Sequence, residues 1–131
     1  MNPAVLVVDD QPLNIALVKQ FLGGKYRVLS AVSGAEALEL CQSHIPDLIL
    51  LDVMMPDMSG YEVCKRLQAG IATRQIPVIF ITSNHGPDEE AYGLSLGAVD
   101  FIAKPLNPAV LQARVETQFV LKRQLDLLRE S

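Results

Sequence analysis

Charged and hydroxyl side chains recur at the ends of short apolar runs in this chain. Asp9-Asp10 follows the run Ala4 to Val8, and Asp52 follows Leu48 to Leu51. Thr82-Ser83 follows Val78 to Ile81, and Lys104-Pro105 closes Val99 to Ala103. A fifth run, Val28 to Val32, ends near Ser33 and offers no charge. If these ends converge, three carboxylates repel one another, at a cost of several kcal/mol for each pair about 4 Å apart at an intermediate effective dielectric. A hard divalent cation on oxygen ligands relieves that repulsion, and a site with few carboxylates and room for water suits Mg²⁺. Lys104 adds a second positive charge, and Thr82 adds a hydroxyl that can donate one hydrogen bond. A cation, an ammonium and a hydroxyl around one carboxylate form a cradle for a dianionic phosphoryl group. Phosphoryl transfer asks mainly for neutralised charge and in-line positioning. Asp52 is then a candidate nucleophile that becomes an aspartyl phosphate.

The elements that must position these residues follow from the rest of the pattern. Leu48 to Leu51 and Val78 to Ile81 are apolar at every position. Half-exposed strands would alternate, so continuous runs predict strands covered on both faces, as in a parallel sheet between helices. The intervening segments predict helices. Leu13, Leu17 and Phe21 fall on one helical stripe behind Pro12, which suits a first turn. Ser33 with Glu36, and Ser59 with Glu62, have capping-box spacing. Asp88, Glu89 and Glu90 suit the positive end of a fourth helix, and Asn107-Pro108 suits an N-cap followed by Pro. Gly23-Gly24 and Gly97 are the expected stops of the first and fourth helices. The chain thus predicts a (βα)5 α/β fold with a doubly wound, five-stranded parallel sheet. In such sheets ligands bind beyond the carboxyl ends of the strands.

Composition narrows the classes. The 131 residues are 50% hydrophobic with a formal net charge of −4, which fits one domain with its own core and argues against disorder. An acidic chain without Trp is a poor match for direct nucleic-acid binding. No apolar run approaches a membrane span, and Met1-Asn2-Pro3-Ala4 lacks a basic leader, so no membrane anchor or signal peptide is expected. Cys41 and Cys64 are far apart and read as small semi-buried hydrophobes in a reducing compartment, so a cytoplasmic location is expected.

Taken in order, Asp9-Asp10, Asp52 with Val53-Met54-Met55-Pro56-Asp57-Met58-Ser59-Gly60, Thr82-Ser83 and Lys104-Pro105 resemble the receiver domain of response regulators in two-component signalling. The resemblance covers about residues 4 to 119. It implies the flavodoxin-like strand order 2-1-3-4-5. It implies that Asp52 is the phosphoacceptor, and that Asp9, Asp10, Asp52 and the backbone carbonyl of Met54 bind Mg²⁺. Thr82 resembles the switch hydroxyl, Lys104 the lysine that pairs with the phosphoryl group, and Phe101 the switch aromatic. A cis Lys104-Pro105 bond is implied, as is a loop after the third strand shaped by Pro56 and Gly60. The implied partners are a histidine kinase or phosphotransfer protein upstream and an output domain or protein downstream. Control would act through the surface of the fourth helix, fifth strand and fifth helix, and a homodimer could form there or through the C-terminal helix.

Blander readings exist for each residue alone. A single Asp after a strand is commonly an N-cap, Thr82 an ordinary strand-end hydroxyl, Lys104 a solvated charge and Phe101 plain core. The ordered set argues against them together. Neither His44 nor His85 has a ligand partner nearby in sequence, and Met54, Met55 and Met58 read as gap fillers. Other functions would call for other residues. A Mg²⁺-dependent phosphatase with an aspartyl nucleophile calls for a second Asp two residues on, where this chain has Met54. An FMN carrier calls for a Ser, Thr and Gly-rich loop after the first strand, where this chain has Asp9-Asp10-Gln11-Pro12. A stand-alone interaction domain without phosphorylation would not need the acidic set. The chain is therefore expected to be a switch rather than an enzyme, although it promotes formation and loss of its own acyl phosphate. Residues 1–119 are expected to form the receiver and 120–131 a helical extension or the start of a linker, because Leu121, Leu125 and Leu128 have the spacing of a short coiled-coil seam. That tail suggests a receiver detached from a longer protein.

Overall fold

The computed structural model describes residues 2–84 and 86–130. Five strands alternate with five helices: β1 Ala4–Val8, α1 Pro12–Leu22, β2 Arg27–Ala31, α2 Gly34–Ser43, β3 Leu48–Asp52, α3 Gly60–Ala69, β4 Val78–Thr82, α4 Pro87–Ser95, β5 Asp100–Ala103 and α5 Pro108–Glu130. All strand pairs are parallel, in the order β2-β1-β3-β4-β5. This is the flavodoxin-like (βα)5 sheet, and its strand order reverses beside β1 and β3. Val8 pairs with Leu51, so Asp9 and Asp52 leave the sheet side by side. Asp52 pairs with Ile81, and Thr82 with Ala103, which brings β4 and the start of the Lys104 loop to the same edge.

The apolar runs are sorted by the two-residue period of the strands. Val5, Val7, Leu48, Leu50, Ile79, Ile81 and Ile102 face α1 and α5, whose Ile15, Val18, Leu22, Leu111, Val115 and Phe119 complete that core. Leu6, Val8, Ile49, Leu51, Val78 and Phe80 face the other way, onto α2 and α3 through Ala37, Cys41, Val63, Cys64 and Leu67. Every residue of β1, β3 and β4 is buried, as two covered faces require. At the edge, β2 is half exposed.

Local signals set most boundaries. Ser33 Oγ accepts from the Glu36 N–H at 3.1 Å, Ser59 Oγ from the Glu62 N–H at 3.3 Å, and Asn107 Oδ1 from the Val110 N–H at 3.1 Å. Gly97 takes φ +105° just beyond α4, a left-handed conformation that glycine adopts without strain. Two expectations need correction. The stripe Leu13, Leu17 and Phe21 is not the buried face of α1: Leu13 is 70% exposed, and Ile15, Val18 and Leu22 are buried instead. The cause is that α1 is apolar on more than one side, so docking against β1 and α5 selects the stripe. The second correction is at two strand boundaries, where β2 ends at Ala31 and β5 begins at Asp100, leaving Val32 and Val99 exposed beyond the ladder.

No helix among the described residues is long and apolar enough to cross a membrane. Helix α5 runs 23 residues, and its last turns pass the sheet. There Lys122 Nζ donates to Asp47 Oδ1 at 2.9 Å, while Asp47 Oδ2 accepts the Ala4 N–H at 2.8 Å. Burial works against the Asp47 charge, but the Ala4 N–H and the Lys122 ammonium outweigh it and hold the carboxyl below its ordinary value.

Candidate functional site

The carboxyl edge of the sheet gathers what the sequence singled out. Asp52 is the last residue of β3, Asp9 and Asp10 follow β1, Thr82 ends β4, and Lys104 follows β5. Parallel strands put all these ends on one side, and the β1–β3 adjacency puts the acids nearest one another. One carboxylate oxygen from each of Asp9, Asp10 and Asp52 lies within 4.8 Å of the others. Asp9 and Asp52 are buried, at 1% and 2% exposure, and Asp10 is half-buried at the rim.

Lys104 reaches into this cluster. Its Nζ donates to Asp52 Oδ1 at 3.0 Å and lies 3.5 Å from Asp9 Oδ2. The Lys104-Pro105 bond is cis, as the family resemblance implied. Asp9 Oδ1 also accepts the Gln11 N–H at 2.9 Å, which orients the carboxylate from its own loop. Burial pushes the Asp52 carboxyl above its ordinary value; the Asp9 charge adds to the rise, and the Lys104 ammonium and the Met54 backbone N–H oppose it. One ammonium against three carboxylates leaves net negative charge in a water-poor recess. An oxygen set of this kind fits a hard divalent cation such as Mg²⁺.

The loop after β3 builds the floor. Gly60 N–H donates to Val53 O at 2.9 Å, and a Cβ on Gly60 would run into the Asp52 carbonyl oxygen, so only glycine lets α3 start this close to the acid. Asp57 holds φ +68°, a left-handed conformation that Asp tolerates better than most residues. The Asp57 turn was not read from the sequence, although Pro56-Asp57 before Ser59-Gly60 is turn chemistry. Met54, two residues past Asp52, is 72% exposed.

Thr82 is buried at the site, but its hydroxyl is engaged elsewhere. It donates to the Asn84 carbonyl oxygen and accepts the Asn84 N–H, both at 3.0 Å. Among the described residues its hydrogen bonds run to Asn84 and not to Asp52 or Lys104. Phe101 is half-buried on β5, with its ring centroid 5.5 Å from that of Phe80. The histidines stand apart: His44 caps the end of α2 with a ring nitrogen 2.9 Å from Ser43 Oγ, and His85 lies outside the described residues. Met55 and Met58 pack on the core, in keeping with a gap-filling role.

Comparison with known proteins gives one consistent result. Residues 5–116 match the family described as response regulator receiver domain. The chain is 45% identical over 124 residues to a Vibrio cholerae protein named "Probable cyclic di-GMP phosphodiesterase", a match covering 95% of this chain and 28% of that one. It is 41% identical over 131 residues to the response regulator PleD of Caulobacter vibrioides, covering 99% of this chain and 29% of PleD. The chain therefore spans under a third of these relatives. Among solved structures, it resembles chemotaxis protein CheY4 of Vibrio cholerae with a TM-score of 0.85 at 30% identity, over 89% of this chain and 98% of that one. It resembles the receiver domain of Francisella response regulator 1452 equally, with a TM-score of 0.85 at 30% identity, over 92% and 99% of the two chains.

Proposed function

The chain belongs to the response regulator receiver domain family, and from that premise we propose that it is a phosphorylation-dependent switch with Asp52 as phosphoacceptor. The observation that carries this reading is the Asp52 carboxylate itself, buried, 3.0 Å from the Lys104 ammonium and beside the Asp9 and Asp10 oxygens. An Asp52 carboxylate oxygen attacks the phosphorus of a phosphohistidine on a histidine kinase or phosphotransfer protein. A P–O bond forms, the P–N bond breaks, and the histidine nitrogen leaves with the electron pair. Lys104 stays within reach of the oxygen that carries the developing charge. Asp9, Asp10, Asp52 and the Met54 backbone carbonyl would hold a Mg²⁺, which supplies positive charge to the phosphoryl oxygens when bound.

The switch follows from what Thr82 must give up. To reach a phosphoryl oxygen its hydroxyl leaves Asn84, and the loop after β4 moves with it. That loop leads into α4, so the change spreads to the α4-β5-α5 surface, where Phe101 repacks. Moving a two-state equilibrium from about 1% to 99% takes about 5.5 kcal/mol of differential binding. Charge-assisted bonds from Thr82 and Lys104 to a phosphoryl group are a source of that size. The altered surface would act on an output domain or partner protein, in the cytoplasm where such kinases deliver phosphate, with dimerisation through α4-β5-α5 or the end of α5 as one form of output. We place residues 1–119 in the switch and assign 120–131 to a connecting helix. A phosphatase role is disfavoured by Met54, which stands where an acid would be required.

The test is incubation with a small acyl phosphate donor and Mg²⁺, followed by intact-mass analysis. A hydroxylamine-labile phosphoryl adduct that is absent in Asp52→Asn supports the reading. Its absence in the wild-type chain, or its persistence in the variant, overturns it.

A further inference from the structure

Four aromatic rings link the elements behind the switch surface. Tyr92 of α4 meets Tyr61 of α3 edge-on at 4.9 Å between centroids, Tyr61 meets Phe80 of β4 at 5.3 Å, and Phe80 meets Phe101 of β5 at 5.5 Å. Gly93, next to Tyr92, sits in the last turn of α4 and is buried. Glycine there weakens the helix, since it is among the poorest helix formers. Its use has a visible reason. A Cβ at position 93 would run into Cζ of Phe101, and would stand 3.2 Å from Phe101 Cε1 and 3.1 Å from Phe80 Cδ2. Phe80 is fully buried and has nowhere to go, whereas Phe101 is half-buried and can turn outward.

We propose that Gly93 is the positioning residue for Phe101: the missing side chain is the seat that lets the Phe101 ring lie between α4 and β4. The glycine thereby sets the resting position of the ring and how closely α4 packs on β5. Any Cβ at position 93 shifts the ring toward solvent before a phosphoryl group arrives. This rests on the switch reading above only for its consequence, since the seat itself is a packing property of the unphosphorylated domain.

The experiment is a double-mutant cycle of Gly93→Ala and Phe101→Ala, with thermal melts taken without phosphodonor or divalent cation. With Phe101 present, Gly93→Ala lowers Tm. In the Phe101→Ala background the same substitution leaves Tm unchanged or raises it, because the clash is gone and alanine favours the helix. An equal Tm loss in both backgrounds overturns the seat. The second arm labels the four phenylalanines with fluorine and assigns the Phe101 resonance as the one missing from Phe101→Ala. In Gly93→Ala that resonance shifts without phosphodonor, and the further shift on adding an acyl phosphate donor with Mg²⁺ is smaller than in the wild type. An unmoved Phe101 resonance overturns the proposal, as does a phosphodonor response of undiminished size. If the wild-type chain takes up no phosphate at all, the phosphoacceptor reading fails instead, and the melts still decide the seat.

Discussion

At Asp52 the chemistry and the stability of the protein pull in opposite directions. Its carboxyl is raised above the ordinary value by burial first and by Asp9 second. A raised folded-state value means that the protonated form stabilises the fold. That stability is complete below the ordinary carboxylate pKa and is lost as pH rises through the folded value. At neutral pH the wild-type domain therefore carries the cost of a buried, crowded charge. Asp52→Asn removes it while Asp9 remains as a partner for Lys104. In a chelating buffer at pH 7, Asp52→Asn should stabilise the fold by on the order of 1 kcal/mol, a Tm rise of roughly 3–5 °C. The gain should shrink as the buffer is acidified, and a less stable variant at neutral pH would contradict the account. Met54 leads to a kinetic prediction. Its side chain cannot hydrogen-bond an attacking water, so the phosphoryl group should be long-lived, and Met54→Asn should shorten its lifetime roughly tenfold, about 1.4 kcal/mol of barrier. An unphosphorylated mass recovering within seconds in the wild type, unchanged in the variant, would refute this. The site residues themselves were legible because their side-chain types admit few joint uses. The Thr82 to Asn84 bonds were not, since a hydroxyl has several partners within a rotation and only the folded loop selects one.

Among the elements, α4 is where the proposed switch would be read, and the end of α5 is where the proposed extension is tied down. Thr82→Ala should still take up phosphate on Asp52, yet lose the phosphate-dependent change in amide exchange of α4. Equal changes in variant and wild type would remove Thr82 from the switch. The end of α5 is held by Lys122 on Asp47. The Asp47 carboxyl is held below its ordinary value, so the contribution of this tie is present above the ordinary carboxylate pKa and is lost as pH falls through the lowered one. Both side chains are more than a third exposed, so solvent screens the pair, and Lys122→Ala should speed amide exchange beyond residue 119 by only about twofold to fivefold. No change at neutral pH would show that apolar packing alone holds the extension. Element starts were readable because Ser33, Ser59 and Asn107 cap locally. The buried face of α1 was not, because a helix apolar on two sides leaves the choice to its neighbours. Gly93 was equally opaque, since the ring it admits comes from β5, eight residues on.

Over the whole molecule, continuous apolar strands announced a sheet covered on both faces, and four loaded strand ends announced one reactive edge. The strand order was not in the runs themselves; it came with the family resemblance and is what the structure has. The chain covers 28% of the Vibrio cholerae relative and 29% of PleD. The proposed change in the switch surface depends on one event at the carboxyl edge of the sheet. The direct measurement is the mass of the intact chain after exposure to an acyl phosphate donor with Mg²⁺. The account predicts one hydroxylamine-labile phosphoryl group, mapped to Asp52 and missing from Asp52→Asn. A wild-type chain that stays unmodified, or a label that survives the substitution, would contradict it.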